Sequence, residues 1–342
     1  MTPHPTPTTR HSLELSQSQQ AHISKAAEIL RTGGTVAFPT ETVYGLGADV
    51  SNPYAIQKIY SIKQRPTDHP LIVHIGDLSQ LSYWAEEIPE SAWTLAHHFW
   101  PGPLTLILQR SSRIPDCVTG GQRTVGLRMP AHPVALALLN MLGPEKALAA
   151  PSANRFGRIS PTTAEHVRQE LGTNVDLILD GGACEVGLES TIVSFHDRFP
   201  HILRPGGITA AALENALQSP LLLSTTNPTI RTSGSLPSHY APVTPLRIHP
   251  TELIGRHASA LGAQNLRVVV MTWSEIDLTS FYTHASIKLH SMPADPILYG
   301  RQLYATLRQF DQAGLDYLLV EAPPDHPDWL AITDRLQRAS HH

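Results

Sequence analysis

The chain is predicted to be an α/β protein, and three observations predict it. Short apolar runs rich in Val, Ile and Leu recur along its 342 residues, stretches with helical apolar spacing alternate with them, and the runs end in loops of Gly, Pro and short polar side chains. Gly33 to Val50, GGTVAFPTETVYGLGADV, shows the pattern at its clearest. A β-run over Thr35 to Phe38 stops at Pro39, passes Thr40, Glu41 and Thr42, and enters what reads as a turn built on Gly45 and Gly47. Taken alone, this also fits an ordinary strand-to-helix connection with glycine punctuation. Similar strand endings downstream favour a crevice, where backbone and short polar groups face a ligand.

In chain order, the first dozen residues, MTPHPTPTTRHS, read as a disordered Pro/Thr tail without the apolar segment of a secretory signal. The spacing of Ile23, Ala26, Ala27 and Leu30 predicts a helix over Ser18 to Arg31, stopped by Gly33-Gly34. Asn52 and Pro53 are suited to cap and start a second helix, whose apolar side is Ile56, Ile59 and Tyr60. That helix delivers Lys63 and Arg65 to the loop KQRPTDHP, followed by a β-run over Leu71 to Ile75. Pro89 to His98 reads as helix. Pro101-Gly102-Pro103 turns the chain into Leu104 to Leu108, a structural turn rather than a platform for stacking bases.

Arg110 to Arg123 reads as loop. There follow a strand over Thr124 to Pro130, a helix over Val134 to Leu142, and an apolar run, Ala147 to Ala150, that opens into PSANRFGRISP. A helix over Thr162 to Leu171, β-runs near Leu177, Ser190 and Ile202, and a helix over Ala210 to Leu217 complete a first domain, 18–218, behind a tail, 1–17. Between 219 and 245 the composition shifts to Ser, Thr, Pro and Asn, as in a linker, with SGSLPSHYAP embedded in it. The pattern restarts with strands near Arg267 to Thr272, Ser286 to His290 and Tyr317 to Glu321, and helices from Asp295 and Trp329. That second α/β unit, 246–342, carries no catalytic-looking cluster and reads as accessory.

A net charge of −4 gives no overall basic field to attract nucleic acid. The apolar runs are too short to cross a bilayer. Two cysteines far apart in sequence suit a reducing cytoplasm, where the chain is expected to work. Nineteen histidines include no metal-ligand spacing such as HExxH.

Chemistry is expected where basic side chains meet strand ends. Lys63 and Arg65 precede Pro66, Arg128 precedes Met129-Pro130, and Arg204 precedes Pro205. A guanidinium stripped of water needs an acid or a bound anion. Asp49, Asp180, Glu185 and Glu189 could pair with any one of them. Hydroxyl-rich strand ends nearby, at Ser152, Ser160 and Ser190, instead suggest a polyphosphate site. It would not be a P-loop, because GxxxxGK[ST] is absent, and magnesium would be held mainly by the ligand's own phosphates. His74, inside an apolar strand, reads first as a core histidine.

Together PTETVYGLG, KQRPTDHPLIVHI, WPGPLT, TVGLRMPAHP, APSAN, ESTIVS, LRPGGIT and the SHYAP linker resemble the threonylcarbamoyl-AMP synthase family in its long, two-domain form. The resemblance implies a YrdC-like twisted, largely β-lined cleft with helices outside, followed by a smaller domain of Rossmann-like topology. It implies an enzyme that makes threonylcarbamoyl-AMP and pyrophosphate from L-threonine, bicarbonate and ATP, with magnesium, for modification of tRNA. Downstream threonylcarbamoyl-transfer proteins, and a weak RNA contact, are the implied partners.

Carried onto this sequence, the resemblance assigns threonine to Thr40, Thr42, His74, Arg128, the backbone of Ala150, and Ser190. It assigns ATP to Lys63, Arg65, His69, Thr124, Ser152, Asn154, Ser160 and Arg204. Lys63 and Arg65 carry the catalytic part, and Tyr240 folds back over the nucleotide and makes the linker a lid. The chain departs from the family at His69, where asparagine is frequent, at Phe156, where a small residue is, and at Ser238, where some relatives carry a basic residue. A non-catalytic RNA-binding module of the same fold is the competing reading. Net acidity and the lack of any Arg/Lys run argue against it; a third reading, a related carbamoyl-adenylate step in cofactor maturation, would bring zinc-finger and acylphosphatase-like segments that this sequence lacks.

Overall fold

A computed structural model describes residues 15–223, 230–234, 239–275 and 285–341. Residues 1–14 of the expected tail lie outside the described residues; the remainder leads into a helix, Gln17–Arg31, capped by Ser16 and Gln19. Ser238 also lies outside them.

The first part of the chain builds one large mixed sheet. Its strands are β1 (Val36–Phe38), β2 (Gly45–Asp49), β3 (Ile72–His74), β4 (Ala85–Glu86), β5 (Leu104–Arg110), β6 (Thr124–Arg128), β7 (Leu148–Ala149), β8 (Leu177–Ile178), β9 (Thr191–Ser194), β10 (His201–Arg204) and β11 (Leu222–Leu223). They lie in the order β11-β10-β9-β5-β6-β3-β7-β2-β1-β8, with β4 paired to β5. Antiparallel and parallel pairings alternate irregularly, so strand ends from distant parts of the sequence meet at one rim.

Helices cover the outside. Ile23, Ala26, Ala27 and Leu30 of the first helix pack against Val134, Ala135, Leu138 and Leu139 of the helix Pro133–Leu142, over Phe38 and Leu148. The helix Pro53–Lys63 is capped by Asn52 through its Oδ1 and buries Ile56, Ile59 and Tyr60. Lys63, its last residue, is buried as well.

The expected turn at Gly45 and Gly47 is instead strand β2, antiparallel to β1 with Phe38 opposite Gly45. Its glycines are required by the Phe38 ring. A Cβ on Gly47 would come within 2.8 Å of Phe38 Cε1, closer than packing allows. The loop expected over Arg110 to Arg123 contains a short helix, Asp116–Thr119.

The second part is a four-stranded sheet of β12 (Leu246–His249), β13 (Val268–Thr272), β14 (Ile287–Ser291) and β15 (Tyr317–Glu321), ordered β12-β15-β13-β14 with every pairing parallel. The helices Thr251–Gly262, Pro296–Asp311 and Leu330–Ser340 pack on it, in keeping with the Rossmann-like topology expected. Sequence reading missed β12 and the helix after it. That helix buries Ile254, Gly255, Ala258 and Gly262, a face too small to register as an apolar stripe. Among the described residues no helix is long and apolar enough to cross a membrane.

Candidate functional site

A small cleft, with about 40 Å³ of free volume, opens where β1, β3, β6, β7, β9 and β10 end. Thr40, His74, Arg128, Ala150, Ser152, Ser190, Arg204 and Tyr240 all line it, so strand ends scattered over 200 residues of sequence converge.

At one end stand Thr40, His74 and Arg128. Parallel register sets His74 opposite Arg128 across β3 and β6. Arg128 is 4% exposed, and the structure supplies a partner that sequence reading did not name: its Nη2 donates to Glu41 Oε1 at 2.7 Å. Glu41 Oε2 in turn accepts from the Ala131 amide at 3.0 Å. Arg128 Nε has no hydrogen-bond partner among the described residues. Burial, reinforced by the Arg128 charge, pulls the His74 imidazolium pKa down to about 3, so the ring is neutral. Thr40 Oγ1 donates to the Val43 carbonyl at 2.6 Å, and the Thr42 hydroxyl, 2.9 Å from it, therefore acts as donor to Thr40. Thr42 braces the loop and does not line the cleft.

At the other end Arg204 is held by four hydrogen bonds, which leave one Nη1 proton over. Its Nε and Nη2 donate to the Ser190 carbonyl at 3.1 and 2.8 Å, Nη2 reaches Ser190 Oγ at 3.1 Å, and Nη1 donates to the Ser233 carbonyl in the linker at 2.8 Å. Ser190 Oγ also meets Thr105 Oγ1 at 2.7 Å. The linker residue Tyr240 forms the wall above, with φ +62°, stacked on Tyr304 of the second domain at 5.7 Å. Its hydroxyl is buried with no partner among the described residues, and burial raises its pKa.

Lys63, Arg65, His69, Asn154 and Ser160 do not line the cleft; they connect to its wall through Ser152, Phe156 and Glu189. Lys63 Nζ donates to the Ser152 carbonyl at 2.5 Å and to the Asn154 carbonyl, which ties the helix end to the PSAN loop. Burial, and then the Arg65 charge, pull its ammonium pKa well down. Arg65 Nη2 donates to the Pro70 carbonyl at 2.9 Å, and its guanidinium lies over the Phe156 ring. Burial pulls its pKa to about 10. Phe156 meets His69 and His239 edge-on, so this departure from the family links the KQRPTDHP loop to the linker. Asn154 Nδ2 closes its own loop through the Arg155 and Arg158 carbonyls. Ser160 Oγ donates to Glu189 Oε1 at 2.5 Å.

Thr124 is not brought to the cleft. It starts the strand that Arg128 ends, about 13 Å away along β6, and lines a separate cavity of about 240 Å³ with Ser194 and His196.

Sequence reading missed Glu41, Thr105, Ser233, His239, Tyr304 and Arg335 as residues of the site. It considered Glu189 only as a partner for arginines. A signal existed for Arg335: it occupies the apolar face of its helix, between Ile332 and Leu336, where an arginine needs a buried partner.

Fold and site define a class: a two-domain α/β protein whose cationic, hydroxyl-rich cleft is closed by the linker between the domains. Residues 28–206 match a family model described as "Telomere recombination", and residues 208–341 one described as "Threonylcarbamoyl-AMP synthase, C-terminal domain". The threonylcarbamoyl-AMP synthase of Bacillus subtilis is 42% identical over 96% of this chain and 95% of its own length. That of Pyrococcus abyssi is 37% identical over 92% and 93%. The crystal structure of P. abyssi Sua5 complexed with L-threonine superposes with a TM-score of 0.85, 35% identity and 94% coverage of both chains. The chain belongs to the threonylcarbamoyl-AMP synthase family.

Proposed function

We propose that this chain is an L-threonylcarbamoyladenylate synthase, converting L-threonine, bicarbonate and ATP into threonylcarbamoyl-AMP, pyrophosphate and water. The observation that carries the reading is the cleft itself. Guanidinium, hydroxyl and neutral imidazole groups from six strand ends face one space that, among the described residues, holds no P-loop and no nucleophile–base pair.

Arg128, aligned by Glu41, takes the threonine carboxylate through its spare Nε, and Thr40, His74, Ser190 and the Ala150 backbone orient the rest of the amino acid. The amine attacks carbon dioxide or bicarbonate. A carbamate oxygen then displaces pyrophosphate at the α-phosphorus. Catalysis of this kind consists mainly of positioning and charge neutralisation.

Phosphates bound beside Lys63 would offset the burial that pulls its ammonium pKa down, so that with Arg65 and Arg204 it neutralises them. Magnesium enters with ATP; the donors around the cleft are mainly cations and hydroxyls, which suit the phosphates rather than the metal. A drug-sized ligand needs roughly 300 Å³ or more. The linker around Ser233 and Tyr240 must therefore swing out to admit ATP and close again on it.

Purified protein supplied with labelled bicarbonate, L-threonine, ATP and magnesium should yield a labelled adenylate and pyrophosphate, dependent on threonine. No labelled adenylate, together with tight RNA binding, would replace this reading by that of an RNA-binding module.

A further inference from the structure

Among the described residues Glu189 is the one carboxylate lining the cleft, and it lies on the wall shared with Arg204. An anion there opposes the binding of a triphosphate. The second domain answers it. Arg335, 1% exposed, donates from Nε to Glu189 Oε2 at 2.8 Å, and Tyr304 Oη donates to the same oxygen at 2.9 Å. Ser160 occupies Oε1. Arg335 Nη2 also reaches the Pro205 carbonyl, next to Arg204, at 3.0 Å. The Arg335 guanidinium lies 5.1 Å from the centre of the Tyr240 ring, so one side chain supports both the acid and the lid. Arg204, by contrast, makes no hydrogen bond to Glu189; its donors go to carbonyls and a hydroxyl.

We infer that Arg335 and Tyr304 of the second domain are positioning residues that neutralise Glu189, so that the positive charge of Arg204 stays available to the phosphates. The second domain is then part of the nucleotide site, although none of its described residues lines the cleft. Without Arg335, the buried carboxylate would be left to Arg204, the next cation whose charge acts on it, and would cancel it. Burial alone would raise the Glu189 pKa, yet Arg335 first and Arg204 second hold it at about 2, so the group stays an anion that must be countered. This rests on the ATP site proposed above.

The test is ATP binding to the full chain by calorimetry at saturating L-threonine. Arg335→Met should weaken ATP binding about tenfold, the usual scale of a lost charged hydrogen bond, and leave threonine affinity within about twofold. Arg335→Met combined with Glu189→Gln should recover most of the loss, because the uncompensated charge is gone. A purely architectural Arg335 would predict no such rescue. Tyr304→Phe, which keeps the ring and removes one donor, should show a smaller loss that Glu189→Gln also relieves, and it serves if Arg335→Met fails to fold. Unchanged ATP affinity in the single variants, or a loss that Glu189→Gln does not relieve, overturns the inference. Wild-type protein that binds no ATP overturns the functional reading itself.

Discussion

The two ends of the cleft each contain a buried arginine and a buried glutamate, but they are assembled differently. At one end, Arg128 and Glu41 come from the same domain: Arg128 ends β6, and Glu41 lies in the loop between β1 and β2 of the same sheet. At the other, Glu189 belongs to the first domain, Tyr240 to the linker, and Tyr304 and Arg335 to the second domain. The first end is held by sheet register and exists whenever the sheet does. The second exists only while three parts of the chain are docked, and can therefore open. On the function proposed above, this difference separates a preformed amino acid site from a nucleotide site that must be closed.

The largest effect should come from breaking the preformed end. Arg128→Ala strands Glu41 as an unpaired buried charge, which typically costs about 3–5 kcal/mol of stability, and it should weaken threonine binding on the order of 100-fold. ATP affinity should change little. Calorimetry for both ligands, with a urea titration for stability, checks this; threonine affinity within a few-fold of wild type would remove Arg128 from the site.

A smaller and opposite effect is expected at the closed end. Tyr240→Phe deletes a hydroxyl that is buried without a partner, so the ligand-free protein should become more stable by about 1 kcal/mol. ATP binding should weaken several-fold if that hydroxyl is the group that meets the nucleotide. Loss of stability instead would mean that the hydroxyl already has a partner.

A pH dependence samples both ends at once. His74 at the first end and His239 on the linker both have imidazolium pKa values pulled from 6.5 to about 3, by burial first of all. The unfolded chain takes up these protons near pH 6.5, whereas the folded chain resists until about pH 3. Stability is thus full above pH 6.5 and is lost as the pH falls between those values. Glu189, held from 4.5 down to about 2 despite its burial, adds loss in the same direction over a lower window. Urea midpoints measured from pH 7 to 4 should fall with acid, and His74→Gln or His239→Gln should each flatten the fall by one proton's share. A flat wild-type profile would contradict the neutral state of both rings.

Much of this was legible in one dimension. Most strands and helices were anticipated from apolar spacing and caps, with Asn52 and Pro53 an instance in which local chemistry alone marks a helix start. The failures have a common physical origin. Gly45 and Gly47 look like a turn because glycine permits one; they lie in a strand paired with β1, and the Phe38 ring above them leaves little room for a side chain. Thr124 belongs to the same strand as Arg128, yet four residues of extended chain carry it to a different cavity. The Arg128–Glu41 and Arg335–Glu189 pairs join residues 87 and 146 positions apart, and no local pattern records such a pairing.

By itself the sequence determined the alternation of strand and helix, the split into two α/β units, and which strand ends would carry cations and hydroxyls. These follow from hydrophobic period and backbone preference, which act over a few residues. Only the tertiary structure decided which acid meets which arginine, that Tyr240 and Ser233 close over Arg204, and that a domain without a catalytic motif supports the cleft wall. Those outcomes depend on the desolvation of charges, whose cost is set by whatever lies within a few ångströms in space, however far away it lies along the chain.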